Sequence, residues 1–172
     1  MNADQLRALQ APLKASYKDD PAAAKITLSA RGALGLENVS CKVETGQALA
    51  RAGLHPATGG DGALACSGDM LLEALVACAG VTLGAVATAL AIPVRGGSIT
   101  AEGDLDFRGT LGVSKEAPVG FTDIRLRFDL DTDAGPEQVA TLLKLTERYC
   151  VILQTLRTPP RIVTSPLPSS PP

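Results

Sequence analysis

The sequence predicts an α+β domain of antiparallel strands and two long helices, and three observations predict it. Residues 99–108 and 122–131 alternate apolar and charged side chains with the period of two that half-buried strands require. Residues 74–94 carry no charge and are mostly small, the composition of a helix closely packed by its neighbours. The stretch PEQVATLLKLTERYCVILQTL sets apolar residues at helical spacing behind a Gly135-Pro136 start. With 172 residues, 45% of them hydrophobic, the chain has enough material for one core.

Taken in order, residues 2–20 place Leu6, Leu9 and Leu13 at helical spacing with Pro12 interrupting. This predicts a short helix or arm over 1–21 that ends before Asp19-Asp20-Pro21 and folds against a partner. The domain proper is expected over 22–164. Its first strand has Ile26, Leu28 and Ala30 opposing Thr27, Ser29 and Arg31. The next has Val39, Cys41 and Val43 opposing Ser40, Lys42 and Glu44, across a Gly-rich turn. LHPATGGDGALACSGD is turn chemistry, a loop that delivers the chain to the long apolar helix. Ser67 is the expected N-cap, and Asp69 and Glu73 suit the positive end of the helix dipole.

After that helix, Ile99, Ala101, Leu105 and Phe107 face one way and Thr100, Glu102, Asp104, Asp106 and Arg108 the other. Thr122, Ile124, Leu126, Phe128 and Leu130 likewise oppose Asp123, Arg125, Arg127, Asp129 and Asp131. An antiparallel pair with one wet face is expected. The second long helix has an apolar stripe of Val139, Leu142, Leu143, Tyr149, Cys150 and Leu153, with Glu137, Thr141, Lys144 and Arg148 in water. Thr158-Pro159-Pro160 stops it, a short RIVTS strand follows, and 165–172 is a disordered Pro/Ser tail.

The uncharged run is long enough to span a bilayer, yet residues 74–92 hold only three leucines and no basic anchor precedes them. A buried helix fits better, so no membrane is expected. Gly80 and Gly84 form G-x-x-x-G and permit close backbone approach. One domain of this size does not surround such a helix, so a homodimer is expected to complete the burial.

Composition excludes other classes. Net charge of −2 and no Lys/Arg cluster leave no field for nucleic acid. Five aromatics, two Tyr and three Phe, give no stacking platform. The N-terminus has no apolar secretory core, so a cytoplasmic address is expected. One histidine, His55, and four cysteines that never form C-x-x-C predict neither a metal nor another cofactor.

The cysteines carry the chemistry. Cys78 lies past the first turn of its helix, where the dipole does little, so a reactive thiolate needs a cation from elsewhere. Arg31 and Arg51 are the candidates, since Glu73 lies about 140° round the helix. Cys150 sits on the stripe that packs on the first helix. Two thiols on facing helices are what a peroxidatic and a resolving cysteine require, though spacing alone does not establish the pair. Cys41 points inward from a strand and is expected in the core, Cys66 is an accessory thiol in the loop, and His55 is a loop residue.

GDMLLEALVACAGVT, PVGFTDIRLRF and ERYCVILQTL together resemble the family of osmotically inducible protein C and organic hydroperoxide resistance proteins (OsmC/Ohr), over roughly residues 26–156. The resemblance implies antiparallel sheets wrapped around two central helices in an intertwined homodimer. It also implies a peroxidatic Cys78 and a resolving Cys150 that reduce organic hydroperoxides in oxidative stress defence, with an external dithiol as reductant. Where hydroperoxidase members carry a glutamate near the helix start this chain reads Ser67-Gly68-Asp69, so Asp69 takes that place and Arg31 that of the activating arginine. Val151 stands where the family has proline. The other expectation on the same scaffold is a noncatalytic protein that binds an apolar small molecule or a protein partner.

Overall fold

A computed structural model describes residues 3–35, 40–43, 52–63 and 65–165. The first helix, α1 (Ala3–Asp19), runs through Pro12 rather than ending there. Its partner is its own chain: Leu13 and the buried Tyr17 pack with Ala24, Ala57, Phe107 and Leu111. The Tyr17 hydroxyl donates to Ala57 O at 2.6 Å. This docking lends the helix the tertiary support that short isolated helices lack.

Four strands form the main sheet: β1 (Lys25–Gly35), β2 (Ser40–Val43), β5 (Gly96–Asp106) and β6 (Phe121–Asp131), in the order β2-β1-β5-β6. Every pairing is antiparallel. Residues 36–39, including Val39, and Glu44 lie outside the described residues. The loop expected before the long helix contains a small parallel pair, β3 (Ala52–Gly53) with β4 (Ala65–Cys66), and a single 3-10 turn at Pro56–Thr58. That turn closes on Gly59 at φ 94, a left-handed position that glycine adopts without steric cost.

The β5–β6 pairing matches the alternation of the sequence until a register shift between Asp104 and Leu105. Beyond it Phe121, not Thr122, takes the inward place opposite Leu105, and Thr122 turns out to donate from its hydroxyl to Asp104 O at 3.1 Å. Gly103 makes room for this: a Cβ there would lie 2.5 Å from the Phe121 ring. The end of β5 also departs from simple alternation. Phe107 belongs to a helical turn, α3 (Phe107–Thr110), and Asp106 is buried rather than wet. Its carboxylate accepts from Arg108 N at 3.1 Å and from Arg108 Nη2 at 2.6 Å, which holds it below the usual carboxylate range. The outer face of the sheet is the expected ion-pair ladder, with Arg125 on Asp104 at 2.5 Å and Arg127 on Glu102 at 2.6 Å.

Helix α2 (Ser67–Ala89) lies across β1, β2 and β5. Cys66, not Ser67, occupies its N-cap position, and its side chain makes no capping hydrogen bond. By length and composition α2 matches a bilayer span. In this fold it buries one face, Leu72, Leu75, Val76, Ala79, Leu83 and Ala87, under its own chain. On the other face Ala74, Val81 and Ala85 are exposed.

The second long helix is two. α4 (Pro136–Tyr149) and α5 (Val151–Arg157) meet at Cys150, whose φ −70 and ψ 104 are extended. Tyr149, expected on the buried stripe, is 56% exposed. The expected strand at RIVTS does not form: residues 161–165 have no regular secondary structure and are exposed.

Candidate functional site

Cys78 comes from the fourth turn of α2 and Cys150 from the junction of α4 and α5. Leu142 packs with Leu83 and Ala87, and one turn pair later Cys150 packs with Leu72, Leu75, Val76 and Ala79. α4 therefore descends α2 along one seam, which ends at the two thiols. Cys150 is fully buried, Cys78 is half-buried, and the two belong to one packed cluster.

The break at Cys150 sets this contact. Cys150 N–H still donates to Thr146 O at 2.9 Å, and Cys150 O accepts from Gln154 N at 2.9 Å, so one non-helical residue joins two helices without orphaning its own backbone. Burial, the larger influence, and the bond to the Cys78 sulfur push the Cys150 thiol up to about 11. The N–H groups of Leu153 and Ile152 pull the other way without completing a cap. Cys150 is thus a protonated thiol held against Cys78, which suits a group that acts second and not one that attacks first.

The remaining expected site residues are placed elsewhere or lie outside the description. Asp69 sits in the first turn of α2, nine residues before Cys78, which is about 13 Å along the axis and on the opposite side of the helix. Within one protomer the structure does not bring it to the cysteines. Its carboxyl is raised by burial, and the nearby His55 partly offsets the rise. Arg31 lies in β1 opposite Thr100 of β5, with its side chain outside the described residues, as is all of Arg51. Cys41 pairs with Leu34 through the backbone of β2, and its side chain too lies outside the described residues.

His55 is more than a loop residue. Its ring stacks on Phe107 at 5.0 Å, and its Nδ1 accepts from Ala57 N at 3.0 Å, which leaves the proton of the neutral ring on Nε2. With Cys66, Leu71 and Phe121 it lines a cavity of about 420 Å³ at the start of α2. Thr146 is the other residue the sequence reading passed over. It lies midway between Leu142 and Cys150 on the α4 stripe, fully buried, with no hydrogen-bond partner for its hydroxyl among the described residues. The i, i+4, i+8 spacing of 142, 146 and 150 was the available signal. Among the described residues no group of three or more His, Cys, Asp or Glu is arranged to hold a metal ion.

Comparisons with known proteins follow the same geometry. The family model described as OsmC-like protein matches residues 60–165, which spans both cysteines and every element from β4 to α5. An osmC-like hydroperoxide resistance protein from Jannaschia sp. CCS1 has a similar structure, with a TM-score of 0.62 and 15% sequence identity. The alignment covers 86% of this chain and 97% of that one. No curated protein matches the sequence.

Proposed function

Because this chain belongs to the OsmC-like protein family, we propose that it is a thiol-dependent peroxidase that reduces organic hydroperoxides through Cys78 and Cys150, in defence against oxidative stress. The observation that carries the proposal is the packing of these two thiols, far apart in sequence, into one cluster at the end of the α2–α4 seam. The Cys78 thiolate attacks the distal peroxide oxygen. The O–O bond breaks, the alkoxide leaves and is protonated to the alcohol, and Cys78 becomes a sulfenic acid. Cys150 then attacks the Cys78 sulfur, the S–O bond breaks, and water leaves with the Cys150 proton. An external dithiol reduces the resulting disulfide.

The order of events follows from burial. Cys78 is the more accessible thiol and Cys150 the enclosed, protonated one. Arg31 remains the proposed activating cation, from β1 beneath α2. Asp69 serves Cys78 only if a second copy supplies it, and the exposed face of α2 favours such a copy: Ala74, Val81 and Ala85 form an apolar stripe beside Cys78. The working unit is therefore a homodimer, with the cytoplasm as its proposed setting.

Counting free thiols anaerobically before and after one equivalent of cumene hydroperoxide tests the reading. Loss of two thiols per chain, with a Cys78–Cys150 bridge by mass spectrometry, is expected. No loss of thiols overturns the peroxidase in favour of the noncatalytic binding protein.

A further inference from the structure

Threonines inside helices ordinarily return their hydroxyl to the carbonyl four residues back. Two threonines of this chain do so: Thr88 Oγ1 donates to Gly84 O at 2.8 Å and Thr141 Oγ1 to Glu137 O at 2.9 Å. Both are exposed, so water would have served them as well. Thr146, on the same helix as Thr141, is fully buried and leaves its hydroxyl without any partner among the described residues. An unpaired buried hydroxyl lowers stability, and valine would fill the same volume without that cost. A threonine at this position is accounted for if the partner exists in another state of the site.

The partner is fixed by position. Cys150 follows Thr146 by four residues, just past the end of α4, and the turn between them is closed by Cys150 N–H on Thr146 O at 2.9 Å. Side chains at this spacing have Cβ atoms about 5–6 Å apart, and the side chain at i+4 leans back over the turn of residue i. Threonine in a helix has two accessible χ1 wells, so its hydroxyl turns from one neighbour to another at little cost. The residues packed on Cys150 are apolar: Leu72, Leu75 and Ala79 from α2, Ile99 from β5 and Ile152 from α5. The titratable groups in this cluster, among the described residues, are Cys66 and Cys78. Thr146, four residues back, carries a side-chain hydroxyl that can turn to a developing thiolate on Cys150, beside the backbone N–H groups of Ile152 and Leu153.

We propose that the Thr146 hydroxyl is the hydrogen-bond donor to the Cys150 sulfur as the disulfide with Cys78 forms. The inference rests on the peroxidase reading and deepens it. In the reduced protein Cys78 and Cys150 pack in one cluster and the hydroxyl is unpaired among the described residues. When Cys78 is a sulfenic acid, Cys150 attacks its sulfur: the S–S bond forms, the S–O bond breaks, and the hydroxide departs as water with the Cys150 proton. Negative charge passes through the Cys150 sulfur in this step, in an enclosed site with many apolar neighbours. A hydroxyl donor one turn behind it is worth most at that moment.

The test is rapid-quench alkylation with mass spectrometry after one equivalent of cumene hydroperoxide. It follows dimedone-trapped Cys78 sulfenic acid and the Cys78–Cys150 disulfide separately, from neutral to alkaline pH. Thr146→Val and Thr146→Ala are expected to form sulfenic acid at the wild-type rate. They should close the disulfide about tenfold more slowly at neutral pH, with the midpoint of that step moved up by about one pH unit. Thr146→Ser should restore both. If the Val and Ala variants close the disulfide at the wild-type rate and midpoint, or Ser fails to rescue them, the proposal is overturned and the peroxidase reading stands. If wild type forms no sulfenic acid on Cys78, both fall together.

Discussion

The two faces of α2 are built from the same kinds of residue and meet opposite surroundings. On one, Leu72, Leu75, Val76, Ala79, Leu83 and Ala87 are buried under the sheet and α4. On the other, Ala74, Val81 and Ala85 face outward, and Val81 is 43% exposed. Cys78 lies on the border, half-buried, with Cys150 reaching it from the covered side. Hydrophobicity alone does not distinguish these faces. What separates them is which elements of the same chain are left to pack there, and one four-stranded sheet with one antiparallel helix covers only one side.

Three changes break or sharpen that contrast. The largest effect belongs to the covered face: Leu83→Ala should lower stability by about 3 kcal/mol, since the side chain is fully enclosed with Ala87, Ile92 and Leu142. The check is urea denaturation of the reduced protein, and a loss under half that size would mean the seam is loosely packed.

The border comes next. Burial keeps Cys150 protonated in the folded chain to about pH 11, against 9.0 for the free thiol. Between those values the unfolded chain has released a proton that the folded chain retains, so stability falls as pH rises through this window. The loss is on the order of 2 kcal/mol. Cys150→Ala should flatten the alkaline limb of the stability profile; an unchanged limb would assign it to another group.

The smallest effect on folding is expected on the open face. Val81→Glu should alter the stability of the protomer by no more than about 0.5 kcal/mol. In the proposed dimer the same substitution buries an unpaired charge, so sedimentation equilibrium should show wild-type dimers and mutant monomers. A Val81→Glu protein that stays dimeric would move the interface off this face.

Local pattern by itself determined a good deal of this protein. The alternation around Ile99 and Ala101, and around Leu126 and Phe128, specified two antiparallel strands with one charged face, because strand side chains point alternately to two sides whatever the rest of the chain does. The uncharged run specified a long packed helix, and the Gly135-Pro136 start of α4 stands where the sequence puts it. The motifs around Cys78 and Cys150 specified the family.

Tertiary structure decided the rest. Phe121 replaces Thr122 in the core because a one-residue shift between Asp104 and Leu105 exchanges the faces at the start of β6, and such a shift leaves no local mark. Asp106 is buried because Arg108 folds back on it at the end of β5. Asp69 stands with His55 rather than with the cysteines, because helical pitch carries it away from Cys78 and the docking of α1 holds the His55 loop near it. The extended backbone at Cys150, which brings the second thiol to the first and leaves the Thr146 hydroxyl waiting beside it, interrupts a stretch whose local preferences all favour helix. Periodicity reports which side of an element is apolar. The partner that covers that side, and the one residue that bends to reach it, depend on contacts between segments distant in sequence.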